Sequence, residues 1–583
     1  MAGYLNVETS LTGRRWVGPA PEQDRVAQAI AQTSGLELPL ARVLAARGVA
    51  PQEAAAFLNP SLRDLLPDPL TLRDMAKAAA RFAAAATSRQ RIAIFADYDV
   101  DGGASAALLL TWLRAMGHRA TLYIPDRIDE GYGPNDAAMQ GLASAHDLIV
   151  CVDCGTLSHG PIAAAAGTDV LVLDHHLGGE TLPPAYAVVN PNRQDESGDL
   201  GHLCAAGVVF LLLVEVNRQL RAQGTKGGTT GPDLMALLDL VALATVADVA
   251  PLVGVNRALV RQGLKVMARR ERVGLAALAD VARMDRAPTA YHLGFLLGPR
   301  VNAGGRIGRA DLGARLLATD DPHEAAALAE RLDQLNTERR DIEAAVRAAA
   351  EAQAMARFTG GALIWAAQDG WHPGVVGIVA ARLKEAANRP AVVIGFDGDA
   401  GKGSARSVSG IDLGASIARL AAEGLIERGG GHKMAAGLSL SRAQLEPAMA
   451  RLEALLERQG AAAIGAADLL LQGVMMPAAA TTELIEQIDA AGPFGAAAPA
   501  PSFAFPAQAL RSTRRIGENH LRLTFGDGAG LDGVCFGAFD GPLGEALMAG
   551  AGRWHLAGKL EVNHYNGRSK PQLRLTDAAP AKG

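Results

Sequence analysis

Between residues 90 and 190 the chain repeats one pattern, in which a short, almost wholly apolar segment is followed by a stretch with helical periodicity. The apolar segments are RIAIFA, RATLYI, HDLIVCV, DVLVL and AYAVV. Runs this short and apolar are typical of strands buried on both faces, and helices between them make the strands parallel. The pattern predicts an α/β fold with a parallel sheet, whose ligands bind beyond the carboxyl ends of its strands.

Acidic and histidine residues follow three of these strands. They are Asp97, Asp99 and Asp101 after the first strand, Asp153 after another, and Asp174, His175 and His176 after a third, and Asp248 in LATVADVAPL could join them. Taken singly, a strand-end aspartate is more typical of a turn or helix cap. Together the carboxylates repel one another unless a cation separates them, and carboxylate and imidazole ligands suit Mn²⁺, with Mg²⁺ as a substitute. The set therefore predicts a metal site.

The length of 583 residues corresponds to about four domains. A proline-punctuated helical preface is predicted for residues 1–75, and the first α/β domain for 76–320. Residues 321–357 have apolar positions at helical spacing, which predicts one long connecting helix. A second α/β domain is predicted for 358–455. Several short strands in 465–580 predict a β-barrel, with the OB-fold as the leading candidate.

The composition limits partners and location. There are 56 basic and 61 acidic residues, so a net charge of −5 gives no global attraction to nucleic acid. Four cysteines are too few for a disulfide framework, and the CxxC at Cys151 and Cys154 has no second pair, so packing is favoured over zinc or redox chemistry. The chain lacks an apolar run of ~18 residues and a secretory signal layout, and a soluble cytoplasmic protein is expected.

Eight motifs carry a resemblance to a known family. DYDVDG, VDCG, VLDHH and TVADVAPL resemble the four motifs of the DHH phosphoesterase superfamily. GPRVNAGGR, GWHPGVVGIVAARL, GSARS and GGGHKMAAG are similar to its RecJ family of exonucleases. The resemblance runs from about residue 40 to the C-terminus. It implies DHH, DHHA1 and OB-fold domains and a metal-dependent 5′-to-3′ exonuclease of single-stranded DNA in repair and recombination, which we expect to be a monomer.

The resemblance also implies two metal sites that share one carboxylate. The first consists of Asp101, Asp153, His175 and Asp248, and the second of Asp99 and Asp153 with help from Asp97. Phe95 stands where related pyrophosphatases have a histidine, so it is open whether Asp97 or Asp99 completes the second site. His176 is expected to contact the scissile phosphate. Two ions ~3.5–4 Å apart would activate a water for in-line displacement at phosphorus.

A second set of residues is expected to bind the substrate. It consists of Arg127, Tyr132 and Asn135, of Arg300, Asn302 and Arg306, of His372, of Ser404 and Arg406, and of Gly430, Gly431 and His432. Ser404 and Arg406 are predicted in a glycine-flanked turn, where the resemblance implies a 5′-phosphate site. The alternatives are a solvated arginine at that turn, helix capping in GPRVNAGGR, and a turn shaped by Trp371 and Pro373 around His372.

Basic residues in the predicted barrel favour single-strand binding over a merely solvated rim. The basic residues are Arg511, Arg514, Arg515, Arg522, Lys559, Arg568 and Lys570, and they are interleaved with His564 and Tyr565. The family suggests a single-stranded-DNA-binding protein and a helicase as partners. Two other functions stay open: a DHH phosphodiesterase for short oligonucleotides or cyclic dinucleotides, and a degenerate DHH scaffold that binds replication proteins. An extended strand-holding surface argues against the first, and intact candidate ligands argue against the second.

Overall fold

The structure is a computed structural model that describes residues 3–126, 130–222, 231–465, 468–550, 552–565 and 567–581. The helices are α1 (Pro21–Ser34), α2 (Leu38–Ala45), α3 (Ala54–Leu58), α4 (Leu62–Leu65), α5 (Met75–Thr87), α6 (Val100–Ala115), α7 (Asp136–Ala145), α8 (His159–Ala164), α9 (Ala205–Ala222), α10 (Leu238–Ala247), α11 (Gly254–Met267), α12 (Val273–Val281), α13 (Ala290–His292), α14 (Gly298–Ile307), α15 (Leu312–Ala318), α16 (Pro322–Arg357), α17 (Pro373–Ala387), α18 (Leu413–Ala422), α19 (Leu445–Arg458), α20 (Thr482–Ala490) and α21 (Pro542–Ala549).

The strands are β1 (Trp16–Val17), β2 (Ile92–Ala96), β3 (Ala120–Tyr123), β4 (Leu148–Val152), β5 (Asp169–Leu173), β6 (Ala187–Val189), β7 (Ile364–Asp369), β8 (Ala391–Asp397), β9 (Ala400–Arg406), β10 (Arg428–His432), β11 (Ala435–Ser441), β12 (Leu469–Leu470), β13 (Phe503–Ile516), β14 (His520–Phe525), β15 (Leu531–Cys535), β16 (Arg553–Tyr565) and β17 (Arg568–Pro580). The chain divides into two compact units, of which one comprises 67–250 and 259–465 and the other 1–66, 251–258 and 466–583. None of the described helices is long and apolar enough to cross a lipid bilayer.

The first unit contains the predicted parallel sheet, in the order β3–β2–β4–β5–β6. Strands β2 and β4 are buried along their whole length. Burying side chains of this kind is worth about 1.5–3 kcal/mol each, which explains why such short segments form strands. Cys151 and Cys154 lie in the apolar core beside the sheet, as their packing role predicts. All five strands end at one edge, where the acidic segments emerge.

The long helix α16 begins at an N-cap, because the Asp321 side chain accepts hydrogen bonds from the backbone N–H groups of His323 and Glu324. Leu328 and Leu332 are buried in its first half, and Val346 and Ala350 in its second. At 1.5 Å per residue it is about 54 Å long. Its first half packs on α12, α14 and α15, and its second half on α17 and β7. It therefore connects the two α/β parts of this unit.

The second α/β part has a mixed sheet in the order β10–β11–β9–β8–β7, in which the β7–β8 pair is parallel. The prediction of a turn at Ser404 and Arg406 is wrong, because both residues belong to β9, and GGGH forms part of β10. Gly403 is needed for packing, not for a turn: a Cβ there would lie 2.8 Å from Ile394 Cγ1. Glycine at this position leaves room for the side chains of Ile394 and Leu438 on the two neighbouring strands.

The other unit contains a closed five-stranded barrel in the order β13–β14–β15–β17–β16, which confirms the predicted barrel. One apolar core includes both Leu40 and Leu44 of α2 and Phe503 and Phe525 of the barrel. The Trp16 indole also donates to the buried Asp577 carboxylate at 2.9 Å. Part of the predicted helical preface thus packs on the barrel, within the same compact unit.

Candidate metal centre and phosphate cleft

Aspartates from the β2–α6 segment meet Asp153 at the carboxyl edge of the parallel sheet. One oxygen each of Asp97, Asp99 and Asp153 lie within 4.8 Å of one another, and ligand atoms of Asp101, His175 and Asp248 form a second such group. His175 Nε2 lies 3.3 Å from Asp153 Oδ1, which brings the two groups together. The structure therefore assembles every residue that the resemblance assigns to the two metal sites.

Local hydrogen bonds orient the carboxylates of the β2–α6 segment. Asp99 caps α6, since its Oδ1 accepts from the N–H groups of Asp101 and Gly102. Asp101 is fully buried and accepts from Ala205 and Ala206 at 2.6 and 2.8 Å, at the beginning of α9. A helix N-terminus stabilises a negative charge, so these two hydrogen bonds partly offset the burial that raises the pKa of Asp101 above its ordinary value.

Asp153 has the most constrained backbone of the set. Its φ of +59° lies in the left-handed region, which an aspartate adopts at a cost of the order of 1–3 kcal/mol. Its Oδ1 is buried and accepts no hydrogen bond from the described residues. Burial and then the charges of Asp99, Asp101 and Asp97 raise the pKa of this carboxyl well above its ordinary value. An orphaned buried oxygen among crowded acids fits a cation, so these residues can hold Mn²⁺ or Mg²⁺.

Asp174 organises the turn that carries both histidines and takes no place among the candidate ligands. Its Oδ1 accepts from the N–H groups of His175 and His176 and lies 2.8 Å from His176 Nδ1. Burial opposes ionisation, but hydrogen bonds from His176 and Thr156 hold the pKa of Asp174 below its ordinary value. Burial likewise opposes protonation of His176, yet the hydrogen bond to Asp174 outweighs it and raises the imidazole pKa to about 9. The contact with Asp174 thus favours the protonated form of His176.

Two asparagines that the sequence interpretation missed donate hydrogen bonds to the backbone of the turn that carries both histidines. Asn190 Nδ2 donates to the carbonyl oxygen of His176 at 2.8 Å, and Asn192 Nδ2 donates to that of His175 at 2.6 Å. Asn190 also donates to the Thr156 hydroxyl and is fully buried. Both residues closely follow β6, so the strand-end rule that found the aspartates also applies to them.

We expect Asn190→Ala to lower the turnover rate about 10- to 100-fold, because the backbone that aims both histidines loses its support. Single-turnover hydrolysis in Mn²⁺ measures the effect, and thermal unfolding shows whether the fold survives. Asn59→Ala, at an exposed helix end, is the matched control and should behave as wild type. Equal rates for the two variants would contradict the role of Asn190.

Without divalent metal, stability should fall as pH rises. Burial and neighbouring carboxylates raise the pKa of Asp101 and Asp153, and that of Asp248 to about 9. The folded chain then retains protons that the unfolded chain releases above its pKa of about 4. Each such group costs up to ~1.4 kcal/mol per pH unit between those values. A bound cation replaces the protons, so Mn²⁺ should abolish the loss.

Thermal unfolding at pH 6 and pH 8.5, in EDTA and in Mn²⁺, measures this slope. Asp248→Asn should reduce the slope in EDTA, because the amide does not titrate. Asp147→Asn should not reduce it, since Asp147 is an exposed partner of Arg91 near the opposite edge of the sheet. If the stability of the wild type in EDTA did not change with pH, the pKa values of these buried carboxyls would not be raised in the folded chain.

A cleft of about 780 Å³ opens beside the metal centre. Its wall includes Tyr132, Ser404, Arg406, Gly430 and Gly431. The Tyr132 hydroxyl donates to the carbonyl oxygen of Asp153 at 3.1 Å and lies 3.1 Å from His176 Nε2. Tyr132 therefore borders both the metal centre and the cleft.

The wall of the cleft combines the cationic side chains of Lys402, Arg406 and Arg428 with the backbone of several glycines. Arg406 Nη1 donates to Ser404 Oγ at 2.8 Å, which aligns the two side chains. Gly430 pairs with Gly437 across β10 and β11, and a Cβ on either would meet no atom within 4 Å. Burial, then the charges of Arg406 and His176, lower the pKa of His432, so it lies near both of these side chains. Such a wall suits a phosphate group.

Other predicted substrate residues have structural partners. Asn135 caps α7 through Oδ1 and donates to Glu130 through Nδ2. His372 caps α17, as Nδ1 accepts from the Gly374 N–H at 3.0 Å. Arg300 pairs with Asp333 of α16 at 2.8 Å. The geometry therefore makes Asn135 and His372 helix caps and Arg300 the partner in an ion pair, whereas contact with the substrate was expected for all three.

Helix α14 contacts the aspartate segment of the metal centre, although the two segments are far apart in the sequence. Asn302 Oδ1 accepts from the Val100 N–H at 3.0 Å, and a Cβ on Gly305 would lie 2.8 Å from the Tyr98 carbonyl oxygen. Arg306 donates to the Gly374 carbonyl oxygen at 3.1 Å, at the beginning of α17. Arg127 lies outside the described residues. GPRVNAGGR thus positions the aspartate segment.

Three family models match the chain. "DHH family, N-terminal domain" matches residues 91–245, "DHHA1 domain" matches 359–458 and "RecJ OB domain" matches 471–577, which confirms the OB-fold. The single-stranded-DNA-specific exonuclease RecJ of Dickeya dadantii is 37% identical over 575 residues, covering 94% of this chain and 98% of that protein.

Two solved structures of RecJ from Thermus thermophilus are also similar. The complex with Mn²⁺ has a TM-score of 0.79 and 30% identity, over 97% of this chain and 79% of that one. The complex with Mg²⁺ has a TM-score of 0.74 and 29% identity, over 98% and 79% of the two chains.

Proposed function

This chain belongs to the RecJ family of single-stranded-DNA-specific exonucleases, and on that premise we propose how it acts. It removes nucleotides from the 5′ end of single-stranded DNA, with two Mn²⁺ or Mg²⁺ ions, in DNA repair and recombination. The observation that supports this best is the adjacency of the metal centre and the phosphate cleft, with Tyr132 bordering both.

The proposed roles follow from the contacts. Asp101, Asp153, His175 and Asp248 hold one ion, and Asp97, Asp99 and Asp153 hold the other. When bound, the ions supply Lewis-acid chemistry for in-line displacement at phosphorus. His176, whose protonated form the contact with Asp174 favours, donates a hydrogen bond to the scissile phosphate.

The 5′ end of the strand occupies the cleft. Arg406 and Ser404 grip the terminal phosphate, while the N–H groups beside Gly430 and Gly431 approach it closely. Tyr132 offers its ring to the first base. A strand held at its end in this way presents the next phosphodiester to the metal centre, which accounts for 5′ polarity.

A row of cations crosses the outer face of the barrel. In the strand register, Arg514 lies opposite Arg522, and Arg574 lies opposite Lys559. Val534 lies between Arg522 and Arg574, so the row crosses five adjacent strands. Like charges directly opposite destabilise a sheet, so the row favours a polyanionic ligand. Arg574 was absent from the predicted set.

Aromatic rings flank this row. Phe536 is exposed, with Arg574 Cζ 5.2 Å and the His520 ring 5.3 Å from its ring centroid. Phosphates on the cations and bases on the rings would hold a single strand without sequence preference. Arg511 and Arg515 instead donate to loop carbonyl oxygens. An extended strand-holding face favours long DNA over a cyclic dinucleotide.

Arg574→Ala should weaken single-strand binding and lower the slope of log Kd against log salt by about one, because one phosphate contact is lost. Fluorescence anisotropy at several salt concentrations measures both. Arg553, which pairs with Asp527, supplies the matched control, and Arg553→Ala should keep the slope. If both variants keep the wild-type slope, the row does not contact DNA.

One assay tests the function. A long single strand labelled at either end is incubated with the protein and Mn²⁺, beside a duplex and a dinucleotide. Release from the 5′ end of the single strand is expected. Release only from the 3′ end, or cleavage of the dinucleotide alone, would contradict the proposal. Monomeric action and recruitment by a single-stranded-DNA-binding protein and a helicase remain predictions of the family resemblance. A cytoplasmic location remains a prediction from the sequence, which shows no secretory signal layout and no long apolar run.

A further inference from the structure

Two exposed aromatic side chains stack on each other just before α14. Tyr291 is 53% exposed and Phe295 is 68% exposed. Their ring centroids are 5.0 Å apart and their planes differ by 25°, so the rings lie face to face while both side chains stay exposed. Phe295 lies in a π-helical turn, Leu293–Leu297, a conformation that is rare and frequent at functional sites. We refer to Tyr291 and Phe295 as the aromatic pair.

The turn that carries the aromatic pair packs directly behind a candidate metal ligand. A Cβ on Gly294 would lie 3.4 Å from Val246 Cγ1, and one on Gly298 would lie 3.1 Å from Ala247 Cβ. Val246 and Ala247 end α10, and Asp248 follows them. The same segment continues into α14, which supports the aspartate segment through Asn302. The aromatic pair is therefore fixed to both parts of the metal centre.

Arg300 makes this surface rigid. Its Nη1 donates to the Leu296 carbonyl oxygen in the π-helical turn at 2.9 Å, and its Nε donates to Asp333 of α16 at 2.8 Å. A surface that is already ordered loses little conformational entropy on binding a ligand. This also gives Arg300, predicted from the sequence to touch substrate, a positioning role.

We propose that the aromatic pair is a stacking surface for one nucleobase of the single strand, on the 3′ side of the scissile bond. The inference rests on the proposed function, in which the phosphate cleft holds the 5′ end and leaves the rest of the strand to the other side of the metal centre. Stacking on aromatic rings tolerates any base, as an exonuclease requires.

Binding of a 20-nucleotide strand in EDTA tests the surface without hydrolysis. Phe295→Ala should raise Kd about tenfold, which corresponds to roughly 1.4 kcal/mol, and Phe295→Trp should restore tight binding. A strand with 5-iodouracil at successive positions should photocrosslink to Tyr291 or Phe295 from one or two positions only. Mass spectrometry of the adduct identifies the residue.

Tyr186→Ala is the matched control, since this partly exposed tyrosine precedes β6 at the far end of the strand from the metal centre. It should keep the wild-type Kd. The inference would be overturned if Phe295→Ala kept the wild-type Kd and no adduct formed on Tyr291 or Phe295. It would also be overturned if Phe295→Ala changed only the oligomeric mass of the protein, because that result indicates a protein interface. Wild-type protein that crosslinks but does not cut DNA would contradict only the proposed function.

Discussion

Asp153→Asn should lose hydrolysis of single-stranded DNA by a factor on the order of 1,000 or more while the strand still binds. Asp153 lies where the two candidate ligand groups meet, so the amide weakens both metal sites together. The arginine contacts proposed for DNA do not involve this side chain. Single-turnover rates in saturating Mn²⁺, with Kd from anisotropy, separate the two effects.

Unfolding measurements make this first result decisive. Asp153→Asn replaces a buried carboxyl, whose ionisation the crowded acidic cluster opposes, with a neutral amide, so the variant should unfold at a temperature no lower than that of the metal-free wild type. Asp147→Asn, an exposed aspartate near the opposite edge of the sheet, is the control and should retain full turnover. Near-normal turnover of Asp153→Asn would show that the ligand assignment is wrong.

Arg406→Ala should remove most of the preference for a 5′-phosphorylated strand over a 5′-hydroxyl strand. A charge-assisted contact to phosphate is worth about 1.5–3 kcal/mol, or roughly 10- to 150-fold. The expected loss is in the rate on phosphorylated strands, with a much smaller effect on hydroxyl strands. Arg406→Lys should be intermediate, because lysine keeps the charge and loses the planar fork.

Two further variants test the cleft itself. Gly437→Leu would place a side chain in the open space beside Gly430, and should reduce the same preference without touching the guanidinium. Arg451→Ala removes an exposed arginine that pairs with Glu423 in the same domain, and should have no effect. If Arg406→Ala, Arg406→Lys and Gly437→Leu all kept the wild-type preference, the 5′ phosphate would bind outside this cleft.

The metal centre could be predicted from the sequence because its residues follow a simple rule. Parallel strands end at one edge, so Asp97, Asp153 and His175 had to meet there once the strands were recognised. Their chemistry, carboxylates with imidazole, then indicated the kind of ion. The structure adds the distances between them and the two asparagines that hold the histidine turn.

The phosphate cleft was harder to predict because its glycines are compatible with two kinds of local structure. Glycine in GSARS and GGGH is as typical of a turn as of a strand whose neighbours lie too close for a side chain. The strand register decides between the two: Gly403 of β9 lies opposite Leu438 of β11, and these two residues are far apart in the sequence.

Strand β13 shows no clear strand pattern in the sequence, for a related reason. Pro506 interrupts its alternation, and the register shifts between Phe505 and Gln508 and again between Leu510 and Ser512. Bulges of this kind let one strand bend around a barrel, at the expense of the period-two pattern by which strands are found. The pairing of α2 with the barrel core likewise depends on contacts between the two ends of the chain.

The backbone of Asp153 has a consequence for how this chain can evolve. Its left-handed φ, shared by the exposed Val249 directly after Asp248, would suit glycine better. At position 153 only a carboxylate serves the metals, so selection for thermal robustness and selection for catalysis favour different residues there. A change that abolished metal binding would therefore also remove the physical reason for a carboxylate at this strained backbone position.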